Sequence, residues 1–344
     1  MYEKFQNINN SNRKIMVQGE SVIQSNRSNV FVPMAILTLL FFILGIVAAR
    51  LKSDLEIPQN TSKFISLYLL FSIGFKGGQE LAHSHFDMEI IWSALFGVFV
   101  AILIPIYCFF ILKQKFSIEN SGAIAAAYGS VSAVTFVTAI SFLDIQKYHY
   151  SGHMVAIMAL MEAPAIIVGV ILMRMYDKKS AVKAKLSPVI RHSLTNGSVL
   201  LILGSLVIGY LASDQQAMGI KPFTTDIFKG FLAIFLLDMG IISGKKLDVF
   251  FRSGWSPVVF AFVIPLINGV LASVASQWVT EEVGNRFILA ILAASASYIA
   301  VPAAMKIVAP KANPGLFLPM ALAVTFPFNI TFGMPIYLTV ILNT

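Results

Sequence analysis

Apolar runs close to the length of a bilayer crossing recur along this chain, separated by short polar stretches. A helix needs about 20 apolar residues to cross a membrane. Ten stretches approach that length: Phe31 to Arg50, Ser62 to Leu81, Ile90 to Leu112, Gly122 to Phe142, Ser151 to Tyr176, Ser198 to Ala212, Ile227 to Leu247, Val258 to Val279, Phe287 to Val308 and Leu316 to Leu342. The pattern predicts an all-α integral membrane protein with ten transmembrane helices. Residues 1–30 are rich in Asn, Ser and Gln and show no periodicity, which reads as a disordered tail. Phe31 to Arg50 is longer than the apolar region of a cleaved signal peptide. Residues 178–193 form the longest internal polar stretch and read as a cytoplasmic linker between two halves, 31–177 and 194–344.

Composition agrees and excludes much else. Hydrophobic residues make up 57% of the 344 and charged residues only 12%, half the usual share of a soluble domain. Such a chain cannot cover a water-facing surface, so soluble enzymes, nucleic-acid binders and secreted modules are excluded. The single cysteine, Cys108, lies in an apolar run and rules out a disulfide framework or a cysteine metal site. The formal net charge of +8 reports where loops lie. With the loop after the fifth stretch placed in the cytoplasm, 16 of the 25 basic residues and only five acids fall on that face. That asymmetry is the one the positive-inside rule demands, and it places both termini outside, in a multi-pass protein.

The second half echoes the first. Gly74 and Gly78 fall on Gly240 and Gly244 at a shift of 166, and Gly129-Ser130-Val131-Ser132 falls on Ala294-Ser295-Ala296-Ser297 at a shift of 165. Five spans per half is an odd number, so duplicated halves would lie in the membrane with opposite orientation. Inverted five-helix repeats are characteristic of secondary transporters, whose sites sit near the midplane where the repeats meet. No P-loop for ATP occurs in the sequence. The expected driving force is an ion gradient.

The candidate chemistry lies in the echoed segments. Small hydroxyl residues beside Gly or Pro, at mid-membrane, mark places where backbone leaves the helix, which is tolerated at that depth only around a buried site or cavity. Two such breaks bring half-helix N-termini together, each with free N–H groups and about half a positive charge, suited to a small anion. The anion candidates are therefore Gly129, Ser130, Ser132, Thr135, Ser295, Ser297 and Tyr298. Polar residues also interrupt the fifth and tenth stretches, Glu162 before Pro164 and Thr325, Asn329 and Thr331 around Pro327. Carboxylate, amide, hydroxyl and proline-freed carbonyl oxygens are hard ligands that suit Na⁺ or H⁺, and a mid-membrane carboxylate persists mainly where it holds one of them. Glu162, Asn329, Thr325, Thr331 and Asp238 are the sodium candidates. A shift of 167 lays Glu162 on Asn329. His83 and His85, at the end of the second stretch among acids, read as an interfacial cluster. No other metal and no organic cofactor is expected.

At these residues the chain resembles the sodium-dependent bicarbonate transporter family, typified by cyanobacterial carbon-concentrating permeases. The resemblance runs from about residue 31 to the C-terminus and is carried by residues 294–304, by 310–314, by 326–333 and by Leu236-Leu237-Asp238-Met239-Gly240. It implies ten helices in two inverted repeats with broken helices at the crossing point, arranged as a gate domain and a mobile core domain in a homotrimer. It also implies Na⁺-coupled bicarbonate uptake through a bacterial plasma (inner) membrane by an elevator-like movement, with a PII-like trimeric protein as a cytoplasmic regulator. The family's first broken helix reads Gly-Ala-Val-Ser-Gly-Ser-Thr, so this chain has lost a hydroxyl at Val134, gained one at Ser130 and carries Ala133 for a glycine. Glu162 stands where the family has Asp.

The residues leave two other transporters open: a cation/proton antiporter using Glu162 as proton carrier, and a Na⁺-coupled carrier of another small anion. An intramembrane protease is disfavoured, since no His lies near Ser130, Ser132, Ser295 or Ser297 in sequence. The protein is expected not to be an enzyme.

Overall fold

The structure is a computed structural model, and it describes residues 34–83, 87–176, 191, 195, 197–251 and 254–344. The expected tail, 1–30, and nearly all of the linker, 178–193, lie outside the described residues, as does His85. The compact unit described below is Thr38–Thr344.

Helices lie on every one of the ten apolar stretches. They are α1 (Met34–Arg50), α2 (Gln59–His83), α3 (Met88–Leu112), α4 (Ile118–Gly129), α5 (Ala133–Gln146), α6 (His153–Tyr176), α7 (Gly197–Leu211), α8 (Asp214–Lys221), α9 (Phe228–Phe251), α10 (Trp255–Ala275), α11 (Val283–Ala294), α12 (Ala300–Val308), α13 (Pro314–Pro319) and α14 (Met334–Leu342). Among the described residues there is no strand. Six helical segments are long and apolar enough to cross a membrane: Met88–Leu112, Ile118–Gln146, His153–Tyr176, Asp214–Lys245, Trp255–Trp278 and Pro314–Leu342. Shorter apolar helices cover Leu40–Arg50, Gly197–Leu211 and Val283–Ala294.

The surface agrees with a lipid setting. Along α3 the outward side chains are Ile91, Trp92, Leu95, Phe99, Leu103 and Ile111, all exposed. In water such a patch would drive aggregation; against acyl chains it is the stable face. Trp255 and Trp278, at opposite ends of the α10 segment, are 75% and 78% exposed, where amphipathic rings settle at headgroup depth.

Two sets of helices pack among themselves. In the first, α2 lies along α7 and α9 along α1, and glycine makes both approaches close. A Cβ on Gly74 would stand 2.6 Å from the Ile202 carbonyl oxygen, and one on Gly78 would stand 2.1 Å from that of Leu206. In the echo, a Cβ on Gly240 would stand 2.1 Å from the Phe42 oxygen, and one on Gly244 would stand 2.7 Å from Ala49. Small residues let membrane helices approach until their backbones touch. The glycines that matched in sequence thus do the same work, each pair seating its helix on a helix of the other half. In the second set α3 and α4 pack on α6, and α10 packs on α11 and α14.

Loops meet at two ends. Asn313 N–H donates to Asn120 Oδ1 at 2.7 Å at one end. At the other, Glu89 accepts from Thr280 and Asn285, each at 2.7 Å. Buried Arg286 at that end donates to the Ser273 carbonyl at 3.0 Å and to the Ile341 carbonyl at 3.3 Å, tying together the last turns of α10 and α14.

Helix α8 was not anticipated. None of its residues is buried, so no apolar period announces it. A capping box, Ser213 with Gln216, starts it, and a π-helical turn over Pro222–Asp226 joins it to α9.

Candidate functional site

Helix α4 stops at Gly129 and α5 starts at Ala133, so residues 130–132 are the first break. Ser132 is extended and caps α5, its Oγ accepting from Thr135 N–H at 3.1 Å. Helix α11 stops at Ala294 and α12 starts at Ala300, so residues 295–299 are the second break. The breaks touch. Ser297 N–H donates to the Ala127 carbonyl at 2.8 Å, and Ser132 N–H donates to Ser295 Oγ at 3.0 Å. Backbone groups orphaned at each helix end are thus satisfied in part by the other break, as their burial demands.

The half-helix N-termini open on one enclosed space. Val131, Ser132 and Ala133 from the first break, Ser297, Tyr298, Ile299 and Ala300 from the second, Met158 and Glu162 from α6, and Ser198 and Val199 from α7 line a cavity of about 20 Å³. That is room on the order of one water molecule. Glu162, Ser132 and Ser297 are all buried. Ser198, Tyr298 and Ile299 also line a second, larger cavity of about 570 Å³, whose far wall carries Glu56, Lys63, Asp238 and Lys245. The small cavity and the large one therefore adjoin through those three residues.

The C-terminal ends of α4 and α11 meet the last span instead. Asn329 Nδ2 donates to the Ala294 carbonyl at 2.8 Å, and Tyr128 in the last turn of α4 is 2.8 Å from Thr325 Oγ1. The last span is irregular here, with π-helical turns over Met320–Thr325 and Asn329–Gly333 on either side of Pro327. Such turns widen the helix and occur frequently at functional sites.

Residues 38–342 match the family model of the Na⁺-dependent bicarbonate transporter superfamily. The chain belongs to that family. No curated protein matches the chain. Membership makes it a multi-pass membrane transporter, in line with the membrane-length helices.

Within this superfamily member the expected site residues separate into groups. Ser132, Ser297, Tyr298 and Glu162 come together on the small cavity, and Ser295 ties one break to the other. Gly129 packs against Pro105, and Thr135 supplies the N–H that Ser132 caps. Ser130 is buried, its Oγ without a partner among the described residues, and it does not line the cavity. Thr325 and Asn329 lie at the two half-helix C-termini. Thr331 donates within its own helix, to the Pro327 carbonyl at 2.7 Å. Asp238 lies apart, on the large cavity, where it accepts from Ser62 of α2.

Several contributors were not in the sequence-derived set. Ala127 acts through its carbonyl alone, which no residue type announces. Met158 and Ser198 reach the cavity from α6 and α7. Tyr128 and Tyr337 did carry a signal, because a tyrosine inside an apolar span needs a partner for its hydroxyl.

Proposed function

We propose that this protein carries bicarbonate with Na⁺ into the cell across a bacterial plasma (inner) membrane, by elevator-like alternating access. One observation carries the reading: two half-helix N-termini and the hydroxyls of Ser132 and Ser297 converge on one buried cavity. Positive helix ends and O–H or N–H donors favour a small oxyanion, and a planar monoanion with three oxygens suits such a set. With room for about one water molecule, the cavity has to widen to take that ion, and Tyr298 and Ile299, which also line the adjoining large cavity, are placed to yield. Na⁺ belongs on the opposite side of the crossing, where the negative C-terminal ends of α4 and α11 meet Thr325 and Asn329. Anion and cation then sit on either side of one crossing, and each makes burial of the other less costly, which is a physical basis for coupling.

The two-set packing supports the elevator. Helices α1, α2, α7 and α9 form a frame in which each half's glycine helix is seated on the other half, and the broken helices belong to the other set. The same glycine correspondence supports the ten-helix inverted-repeat topology with both termini outside. Cysteines placed at the exposed positions Gln114 and Gln215, in a background lacking Cys108, are then labelled from opposite sides of the membrane. Labelling of both from one side overturns that topology. A homotrimer and a cytoplasmic PII-like regulator are part of the same proposal by family resemblance.

The main test is uptake of labelled bicarbonate by proteoliposomes. Accumulation that requires an inward Na⁺ gradient is expected, and bicarbonate uptake indifferent to Na⁺ overturns the reading. A specific observation favours a second one: Glu162 lines the cavity with the half-helix N-termini and not the Thr325–Asn329 side. A carboxyl there could carry a proton in exchange for a cation, as an antiporter requires. Glu162→Gln separates the two. For the symporter, whose Na⁺ belongs on the Thr325–Asn329 side, Na⁺-driven uptake persists and the half-saturating bicarbonate concentration changes more than the Na⁺ one. For the antiporter the substitution abolishes Na⁺-driven proton movement in vesicles without bicarbonate.

A further inference from the structure

The proposed cation side is organised by hydrogen bonds whose direction can be worked out, and the result assigns a role to two tyrosines. Thr325 Oγ1 has one proton, and it lies 2.8 Å from the carbonyl oxygen of Ala261, which can only accept. That carbonyl is available because the residue four positions on is Pro265, which has no N–H to close the helical bond. With the threonine proton committed, the 2.8 Å contact between Thr325 and Tyr128 must be donated by the tyrosine. Thr325 Oγ1 is then an acceptor with a lone pair to spare, as a ligand for a hard cation must be.

Asn329 is fixed in the same way. Its Nδ2 donates to the Ala294 carbonyl at 2.8 Å, which settles the amide orientation and leaves Oδ1 as an acceptor. Tyr337 Oη stands 3.2 Å from that Oδ1 and 3.0 Å from the Pro265 carbonyl, so its one proton serves either oxygen. The ring cannot drift, because a Cβ on Gly269 would lie 2.2 Å from it and one on Gly333 would lie 3.0 Å from it. Thr325, Asn329 and Tyr337 are all buried. Thr325 and Asn329 are four residues apart in the last span, one at each π-helical turn beside Pro327.

We propose that Tyr128 and Tyr337 are positioning residues for the cation site: Tyr128 fixes the Thr325 oxygen by donating to it, and Tyr337 gives its proton to Asn329 Oδ1 when the site is empty and to the Pro265 carbonyl when a cation takes that oxygen. The inference rests on the reading of Thr325 and Asn329 as Na⁺ ligands. It predicts that the Tyr128 hydroxyl sets the affinity for Na⁺ and that the Tyr337 hydroxyl, bonded once in either state, changes it little. Neither affects the anion, because neither tyrosine lines the cavity at the half-helix N-termini.

The test uses Tyr128→Phe and Tyr337→Phe, which keep both rings and their packing, including the edge contact of Tyr128 with Phe260 at 5.1 Å. Two measurements are made on the full chain. One is the Na⁺ concentration for half-maximal bicarbonate uptake, with the bicarbonate constant at saturating Na⁺ beside it. The other is thermal stabilisation of the purified protein by Na⁺ relative to K⁺ without bicarbonate. Tyr128→Phe is expected to need about tenfold more Na⁺ in both measurements, the effect of losing about one hydrogen bond. Tyr337→Phe, which removes one hydrogen bond from the empty site and one from the loaded site, is expected to stay within about twofold of the wild type. The bicarbonate constant stays within about twofold in both. A wild-type Na⁺ requirement in Tyr128→Phe overturns the inference, as does a tenfold rise in Tyr337→Phe, an equal rise in both constants or a fall in maximal rate alone. Should the wild type itself show neither Na⁺-dependent uptake nor stabilisation by Na⁺, the reading of the cation site fails, a result distinct from variants that keep a measured Na⁺ requirement.

Discussion

The two breaks match in sequence but are built differently. The first is three residues long, and Ser132 closes it with a cap on Thr135 at 3.1 Å. The second is five residues long, has no side-chain cap at Ile299, and Ser297 Oγ reaches Val301 N–H only at 3.5 Å. At the end of α4 stands Gly129, where a Cβ would meet the Pro105 ring at 2.2 Å; the matching position in the second half is Ala294, which already carries one. Val131 in the first break is buried, whereas Ile299 in the second is 43% exposed toward the large cavity. A near-duplicate sequence has therefore given a sealed crossing arm and a loosely closed one. The loose arm contributes Tyr298 and Ile299, which line both cavities, so on the proposed reading it is the arm placed to move when the site loads.

Five substitutions break or sharpen that difference. The largest effect is expected at Gly129→Ala, because the new methyl has only the Pro105 ring and Ala165 to displace. Overpacking there should cost about 3 kcal/mol, seen as a lower melting temperature in detergent, while Ala294→Gly at the matching position loses far less. Equal losses at the two positions would remove the contrast. Next comes Ser132→Ala, which deletes the cap, costing about 1 kcal/mol of stability, and on the proposed reading also a donor to the anion. Half-saturating bicarbonate should then rise about 30-fold, as for about 2 kcal/mol.

Ser297→Ala removes the matching donor, but its cap is already long. Uptake affinity is expected to fall by about 1.5 kcal/mol with the melting temperature unchanged, so a stability loss as large as that of Ser132→Ala would show the second arm to be equally tight. The smallest effect belongs to Ile299→Ala. Half-exposed and uncapped, that position should change stability by no more than about 0.5 kcal/mol, yet it widens the opening between the cavities. Faster uptake at unchanged half-saturating concentrations supports Ile299 as part of the moving closure, and unaltered uptake counts against it.

The membrane character, the helical class and the location of both breaks were legible in the sequence, for a common reason. Each depends on which residue types lie next to one another: long apolar runs must be helical in lipid, and Gly or Ser in mid-run marks where a helix yields. The glycine pairs were equally legible, since close backbone approach leaves no other residue type available. What tertiary structure alone decided was which groups meet. That Ser297 bonds the carbonyl of Ala127, that Asn329 seizes the carbonyl of Ala294, and that Glu162 falls with the N-termini while Asp238 falls on the other cavity are contacts across the fold. Backbone carbonyls carry no sequence signature, and a polar residue in an apolar span announces only that it needs a partner. Hydrophobic periodicity fixes how deeply a position is buried; the rotation and crossing of helices far apart in the chain fix what it is buried against.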